Sequence, residues 1–225
     1  MILQALSLTL RLAALVSLIL MAIALPLGYW LASSRWRGKF VIEALIALPI
    51  VLPPTVLGFY VLVAIGPMSP IGRWYHAVTG TSLAFTFRGL VIGSVLYSLP
   101  FAVQPVAAAF SAVDPMLVHA SATLGASRWR TFWRIVLPLG VPGVVTGLVL
   151  SFAHTLGEFG VVMMIGGNIP GATQTVSILI YDQVQALNYS VANRTALLLL
   201  AFCFVLLALL YGLRRTNMRS LWGWR

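Results

Sequence analysis

The chain has 225 residues, of which 60% are hydrophobic and only 8% are charged. Because a soluble domain carries about 25% charged residues, this composition excludes a water-soluble globule and indicates one polytopic domain, residues 1–225, in a lipid bilayer. The formal net charge of +10 does not indicate a nucleic-acid partner, since the basic residues lie between apolar segments. The single cysteine, Cys203, has neither a disulfide partner nor the neighbouring ligands that a metal cluster requires.

Five apolar segments are long enough to cross a bilayer as helices, which takes about 20 residues each. In chain order, the predicted spans cover residues 12–32, 44–65, 90–113, 143–165 and 195–213. We therefore predict an all-α integral membrane protein with about five transmembrane helices. The first span is predicted to be retained rather than cleaved as a signal peptide, because it is long and arginines follow it directly.

The basic residues fix the predicted orientation. Ten of the 14 Lys and Arg residues lie after spans one, three and five, in groups of three, three and four: Arg35, Arg37, Lys39; Arg128, Arg130, Arg134; Arg214, Arg215, Arg219, Arg225. Since Lys and Arg stay on the cytoplasmic side, the N-terminus is predicted outside and the C-terminus inside. The outer loops are then residues 66–89 and 166–194, the second with a short helix over 175–187.

Span two contains three prolines, Pro49, Pro53 and Pro54. Proline removes a helical hydrogen bond and kinks the helix. Irregular backbone inside a membrane must be buried in protein or line a cavity. The prolines therefore predict either a kinked helix along a translocation pathway or a kink that serves packing alone.

Span four contains two ionisable residues, His154 and Glu158, which are four apart and share one helix face. Such residues inside a span are candidates for function, and Gly157 and Gly160 allow another helix to approach closely. One interpretation is a polar pair at the pathway or its outer gate. The other is that Glu158 stabilises local turns through hydrogen bonds. Two ligands do not complete a tetrahedral metal site, so no metal site is predicted.

The inner loop, residues 114–138, has the strongest local signals. Asp114 is the predicted N-cap of a helix over 115–124, and Gly125 is a natural helix end. A second helix, over 127–136, interleaves arginines with aromatic residues. We predict a compact helix–Gly–helix knob in the cytoplasm, whose apolar first helix requires a groove on another protein.

This loop resembles the signature loop of ABC-importer permeases: Glu-Ala-Ala, three residues, Gly, nine residues, Ile, one residue, Leu-Pro. The matching positions are His119, Ala120, Ser121, Gly125, Ile135, Leu137 and Pro138. Two positions depart from the pattern, with a histidine in place of the acidic residue and a serine in place of the second alanine. The predicted ATPase-coupling site also includes Asp114, Thr123, Leu124 and Arg128.

Three further stretches resemble the molybdate permeases: Pro49-Ile50-Val51-Leu52-Pro53-Pro54, Leu156-Gly157-Glu158-Phe159-Gly160, and Gly167-Asn168-Ile169-Pro170-Gly171 followed by Thr173-Gln174-Thr175. Sulfate permeases share a Gly-Glu-aromatic-Gly stretch and an Asn-Ile-Pro loop, so sulfate or tungstate is the alternative substrate. The resemblance implies a type I ABC-importer permease that works by alternating access in the bacterial plasma (inner) membrane. It also implies a homodimer, two copies of a cytoplasmic ATPase, and an extracytoplasmic oxyanion-binding protein that docks near Asn168, Pro170 and Arg73.

The sequence excludes ATP binding through a P-loop. That motif needs a lysine before Ser or Thr, whereas the only lysine, Lys39, precedes Phe40. No Gly-x-Ser-x-Gly, paired aspartates or metal triad supports a membrane-embedded enzyme, and neither a catalytic residue nor a cofactor is predicted. A proton-coupled secondary transporter is also disfavoured, because its relay needs several buried acids and the chain has four acidic residues in all.

The predicted orientation is testable by cysteine labelling after Cys203→Ala. A cysteine introduced by Ala172→Cys should react with an impermeant maleimide in intact cells. One introduced by Ser127→Cys should react only after permeabilisation, because the basic loop that contains it is predicted inside. Labelling of the Ser127→Cys variant in intact cells contradicts this orientation.

Overall fold

The computed structural model of the protein describes residues 2–221, with side chains for residues 2–209, 211 and 212. The described residues form helices joined by turns, with no strand: α1 (Ile2–Ser33), α2 (Lys39–Val51), α3 (Pro54–Ile65), α4 (Pro70–Thr79), α5 (Phe87–Ser111), α6 (Pro115–Thr123), α7 (Arg128–Thr131), a π-helical turn (Phe132–Val136), α8 (Leu137–Gly157), α9 (Gly160–Gly166), α10 (Val176–Gln185) and α11 (Tyr189–Leu221). Arg225, one of the predicted inner charges, lies outside the described residues, and Arg214, Arg215 and Arg219 lie in α11 without described side chains.

Helices α1, α5 and α8 pack against one another and form the centre of the molecule. The core between them is built from fully buried aliphatic side chains such as Leu12, Leu20 and Val103. Helix α8 contributes a row of glycines to its contact with α5. A Cβ atom at Gly143 would lie 2.2 Å from the Cβ of Ala109, so the two helices approach more closely than larger residues permit.

The prediction of about five spans is confirmed. Within the described part of the chain, four helical stretches are long and apolar enough to cross a membrane, and α2 with α3 makes a fifth if the bent pair is one span. The predicted ends differ from the structure: α1 begins at residue 2 rather than 12, and α11 extends over 189–221 rather than 195–213. Apolarity marks only the part of a helix in the hydrocarbon core, and the helix continues beyond it.

Span two is broken rather than kinked. In place of one helix over 44–65, α2 and α3 meet at an angle of 113°. The break lies at Leu52 and Pro53, which have extended backbone angles, and Pro54 opens α3. Pro49 lies inside α2 and does not interrupt it. With 13 and 12 residues, each half-helix is roughly 20 Å long, too short to cross a hydrocarbon core of about 30 Å alone.

Span four is shifted towards the N-terminus. The helical stretch runs over Arg128–Gly157 instead of 143–165, and Glu158 and Phe159 separate it from the short helix α9. Pro138 does not end the second knob helix, because the π-helical turn precedes it and the Leu137 N–H bonds to the Phe132 carbonyl, five residues back. A widened turn tolerates the proline ring within a continuing helix. The knob is therefore continuous with the span.

The two loops predicted outside contain two short helices. Helix α10 confirms the helix predicted over 175–187, and Thr175 caps it. Helix α4, within 66–89, was not predicted. Its local signals are an N-cap by Ser69, Pro70 in the first turn, and Gly80 at a left-handed φ of 71° after the last turn, which are typical helix boundaries.

Candidate functional site

The inner loop forms the predicted knob. The Asp114 carboxylate accepts a hydrogen bond of 2.8 Å from the Met116 N–H and so caps α6. Gly125 has a φ of +76°, a left-handed angle that favours glycine, and it turns the chain from α6 towards α7. The predicted helix–Gly–helix arrangement is confirmed.

The side of α6 that faces away from the rest of the protein is apolar and exposed. Met116, Leu117 and Leu124 are 75%, 45% and 87% exposed. Ala120 and Thr123 are exposed on the same short helix. Since exposed apolar surface of this kind marks an interaction site, the knob presents a docking surface, defined here as the exposed residues of α6 together with Leu124.

Ser121 fastens the two knob helices to each other. Its hydroxyl lies 2.8 Å from the Thr131 hydroxyl, and both side chains are buried. This hydrogen bond accounts physically for one departure from the signature pattern, because an alanine at this position has no group to offer Thr131. His119, the other departure, is exposed, and its carbonyl accepts a bond from the Thr123 hydroxyl.

The remaining coupling-loop residues lie at the base of the knob. Ile135 and Leu137 are half-buried at the π-helical turn, whereas Arg128 and Pro138 are exposed. The signature pattern thus combines residues that shape the knob with residues that face outward.

The two breaks in the membrane helices contact each other. Helix α3 packs on α9, and a Cβ atom at Gly160 would lie 2.6 Å from the Cβ of Pro54. The structure therefore brings together Pro54 and Gly160, predicted gate residues from different spans. Pro53 is exposed at the break and Pro49 is buried in α2. No heavy atom lies within 4 Å of a Cβ built at Gly157, so the predicted close approach there does not occur within the chain.

His154 belongs to a chain of hydrogen bonds between α8 and α5. Its Nδ1 lies 2.9 Å from the Ser98 hydroxyl, which lies 3.0 Å from the Thr155 hydroxyl. The Thr155 hydroxyl donates to the Ser151 carbonyl. Because each hydroxyl has one proton, Ser98 must donate to Thr155, and His154 must donate to Ser98. The Nδ1 atom therefore carries a proton, while the ring stacks on Phe101 at 3.9 Å.

Glu158 does not stabilise the local turns through its side chain. The residue is only 4% exposed, and neither carboxylate oxygen has a hydrogen-bond partner in the described protein. Ser94 and Tyr97 of α5 are the groups that interact with the carboxylate electrostatically, but the equally buried Ser94 hydroxyl is not in hydrogen-bonding geometry with it. His154 and Glu158 thus do not form a bonded pair.

The sequence did not lead us to predict the α5 residues that lie beside His154 and Glu158. Ser94 and Ser98 are four residues apart on α5, the same spacing as His154 and Glu158. Matching polar pairs in two spans are the signal that predicts a polar layer between them. The polar layer is defined here as Ser94 and Ser98 of α5 with His154, Thr155 and Glu158. Within residues 2–221, no group of three His, Cys, Asp or Glu side chains is placed to hold a metal ion.

The outer loop after α9 is held by a polar network that sequence reasoning also missed. The Asn168 amide donates to both oxygens of Asp182, at 3.0 and 2.9 Å, and the Gln174 amide donates to Asn168 and Asp182. Asn168 is thus committed to internal bonds rather than free for docking. Pro170 in the same loop and Arg73 on α4 are exposed.

Residues 24–217 match the family described as "binding-protein-dependent transport system inner membrane component". The chain belongs to this family. It is 49% identical over 213 residues to the molybdenum transport system permease protein ModB of Azotobacter vinelandii, covering 95% of this chain and 94% of that protein. It is 32% identical over 181 residues to a probable sulfate transport system permease protein of Chlorokybus atmophyticus, covering 80% and 63%.

The fold is similar to that of a bacterial alginate ABC transporter solved in complex with an alginate pentasaccharide-bound periplasmic protein. The TM-score is 0.77 at 18% identity, over 96% of this chain and 78% of that chain. With the family match, this likeness confirms a type I ABC-importer permease fold. The chain is a multi-pass permease of the inner membrane, a transport subunit rather than an enzyme.

The bond between Ser121 and Thr131 should stabilise the knob. A buried hydrogen bond contributes about 1 kcal/mol, so Ser121→Ala should speed hydrogen exchange of the α6 amides about fivefold. Thr131→Ala should have a similar effect, and the double variant should exchange no faster than the stronger single one. Thr123→Ala is the matched control, because that hydroxyl bonds only within α6. Equal acceleration of amide exchange in all three single variants contradicts a specific stabilising role for the Ser121–Thr131 bond.

Proposed function

We propose that the chain is the translocating permease subunit of an ATP-driven importer for molybdate. The observation that carries the proposal is the exposed apolar knob, which is continuous with a helical stretch of 30 residues, Arg128–Gly157. At 1.5 Å per residue this stretch is about 45 Å long. It joins a docking surface at one end to the polar layer and the Glu158–Phe159 break at the other.

The proposed mechanism is alternating access driven from the knob. A groove on a cytoplasmic ATPase receives α6 and Leu124, since an amphipathic helix in a groove is a recurrent mode of recognition. Movement of the ATPase displaces the knob, and the continuous helix transmits the displacement to the outer end of α8. There α8, α9 and α3 meet at two breaks, and such breaks serve as hinges in domain rearrangements.

The assembly we propose contains two copies of this chain, two ATPase subunits and an extracytoplasmic oxyanion-binding protein. The family description supports dependence on a binding protein. On the outer side, Pro170 and Arg73 are exposed and available for docking. Asn168 contributes indirectly, because its bonds to Asp182 fix the loop that contains Pro170.

Substrate identity is proposed from the relatives. Identity to the molybdenum permease is higher and extends over more of the chain than identity to the sulfate permease. Cells that lack their own molybdate importer, expressing this chain with its cognate ATPase and binding protein, should accumulate labelled molybdate. Excess tungstate should compete, because it has the same charge and geometry, whereas equimolar sulfate should not. Uptake of sulfate without uptake of molybdate contradicts the proposal.

The docking role of the knob is tested by Leu124→Asp. A charge placed in an apolar groove without a partner costs several kcal/mol, so the variant should insert in the membrane but lose the ATPase on co-purification. Gly125→Pro should have the same effect, because proline cannot adopt the φ of +76° found there. Leu187→Asp is the matched control, since Leu187 is 73% exposed in the outer loop after α10. Normal ATPase recovery with Leu124→Asp rules out docking through α6.

The gate is tested at Gly157, where the chain leaves open space. If the outer ends of α8 from two subunits meet at the two-fold axis, a cysteine at Gly157 or Phe159 in a Cys203→Ala background should cross-link between subunits. Gly157→Leu should then uncouple ATP hydrolysis from transport without releasing the ATPase. Absence of cross-linking at both positions in every nucleotide state places α8 away from the axis and contradicts this gate.

A further inference from the structure

Among the described residues, no polar group compensates the buried carboxylate of Glu158. Glu158 is 4% exposed and Ser94 is fully buried, and Glu158 Oε1, Glu158 Oε2 and Ser94 Oγ all lack a hydrogen-bond partner among the described residues. An ionised carboxylate in such a place costs many kcal/mol unless it is paired. Buried polar atoms of this kind require either a bound partner or a change in protonation state.

No cation among the described side chains is paired with Glu158. The ion pair recorded among residues 2–221 is Lys39 with Glu43, on α2. Because this chain alone covers nearly all of Glu158, a basic side chain of a second subunit or a lipid amine cannot reach the carboxylate. A metal ion would need several oxygen or nitrogen ligands, and the described residues do not supply such a cluster.

The titratable groups that face Glu158 do not neutralise it either. Tyr97 on α5 is a neutral phenol that interacts with the carboxylate electrostatically. His154, one turn earlier on α8, directs its Nδ1 proton to Ser98, stacks on Phe101 and contacts the Tyr97 ring at a tilted angle. Pro54 of α3, which touches the neighbouring Gly160, has no ionisable group.

We propose that Glu158 and Ser94 form a proton-binding site, in which Glu158 is a neutral carboxylic acid that donates its proton to the Ser94 hydroxyl oxygen. A protonated carboxyl has one O–H donor, which is what the unpartnered Ser94 oxygen lacks. The Ser94 hydroxyl is the α5 hydroxyl that interacts with this carboxylate. The proton-binding site is inferred from the packing of this chain, whereas its link to transport rests on the proposed function.

Proton binding at this site is linked to the conformation of the permease. Glu158 lies at the break between α8 and α9, the point expected to move in alternating access. In the conformation described here the carboxyl is sealed and neutral, so it does not repel a passing anion. When the break opens to water, the carboxyl can release its proton to water and ionise. By linkage, protonation favours the sealed conformation.

Infrared difference spectroscopy of the purified full-length chain tests the site, in a detergent without ester groups. The carbonyl stretch of a protonated carboxyl is separate from the amide and carboxylate bands. At neutral pH, the difference spectrum of wild type minus Glu158→Gln should contain this band, and the band should shift in deuterium oxide. Glu43→Gln is the matched control and should leave the band in place, because Glu43 is a solvent-exposed partner of Lys39.

The Ser94→Ala variant gives a second spectroscopic test in which Glu158 itself is unchanged. Loss of the acceptor should move the Glu158 band to higher frequency without abolishing it. The proposal is overturned if the wild type has no protonated-carboxyl band that Glu158→Gln removes, or if Ser94→Ala leaves the band unchanged. Since the chain has only four acidic residues, the assignment is direct.

Discussion

Inside a bilayer, each backbone N–H and C=O must find its hydrogen-bond partner within the protein. This constraint governs how the permease tolerates two broken spans. The breaks at Leu52–Pro53 and Glu158–Phe159 do not face lipid separately, because α3 and α9 pack on each other and bring Pro54 against Gly160. Irregular backbone from two spans is thereby collected in one region, where Pro54 packs against Gly160 and Pro53 is exposed beside them.

The continuous stretch Arg128–Gly157 connects that region to the knob. A proline at position 138 would ordinarily separate the knob from the span. The π-helical turn before it preserves the helix, so α7 and α8 belong to one continuous helical stretch. The hydrogen bond between Ser121 and Thr131 has a complementary role, because it holds α6 against the first turns of the stretch Arg128–Gly157.

The interior combines close packing with a narrow polar layer. Glycines on α8 let α5 approach, and the same two helices then share the bonds of His154, Ser98 and Thr155. His154 Nδ1 and the hydroxyls of Ser98 and Thr155 are hydrogen-bonded, whereas the adjacent Glu158 carboxylate and Ser94 hydroxyl have no partner among the described residues. A satisfied network favours rigidity, and an unsatisfied buried group favours either a ligand or a change of state. Within the polar layer, the bonded residues His154, Ser98 and Thr155 are therefore a structural element. Glu158 and Ser94 form the site that we propose responds to its surroundings.

The sequence by itself determined that this protein lies in a lipid bilayer and is helical. It also determined the approximate spans, the predicted orientation and the presence of the knob. These properties depend on local signals: apolar length, the placement of arginines, and the caps at Asp114 and Gly125. It also identified Pro54, Gly160 and Glu158 as residues of interest, but not what they contact. Only the tertiary structure decided that Pro54 meets Gly160, that His154 bonds to Ser98, 56 residues away, and that Glu158 has no hydrogen-bond partner among the described residues. Such contacts depend on which faces of distant helices meet, and a side chain's neighbours across a helix interface are not encoded in the pattern of its own segment.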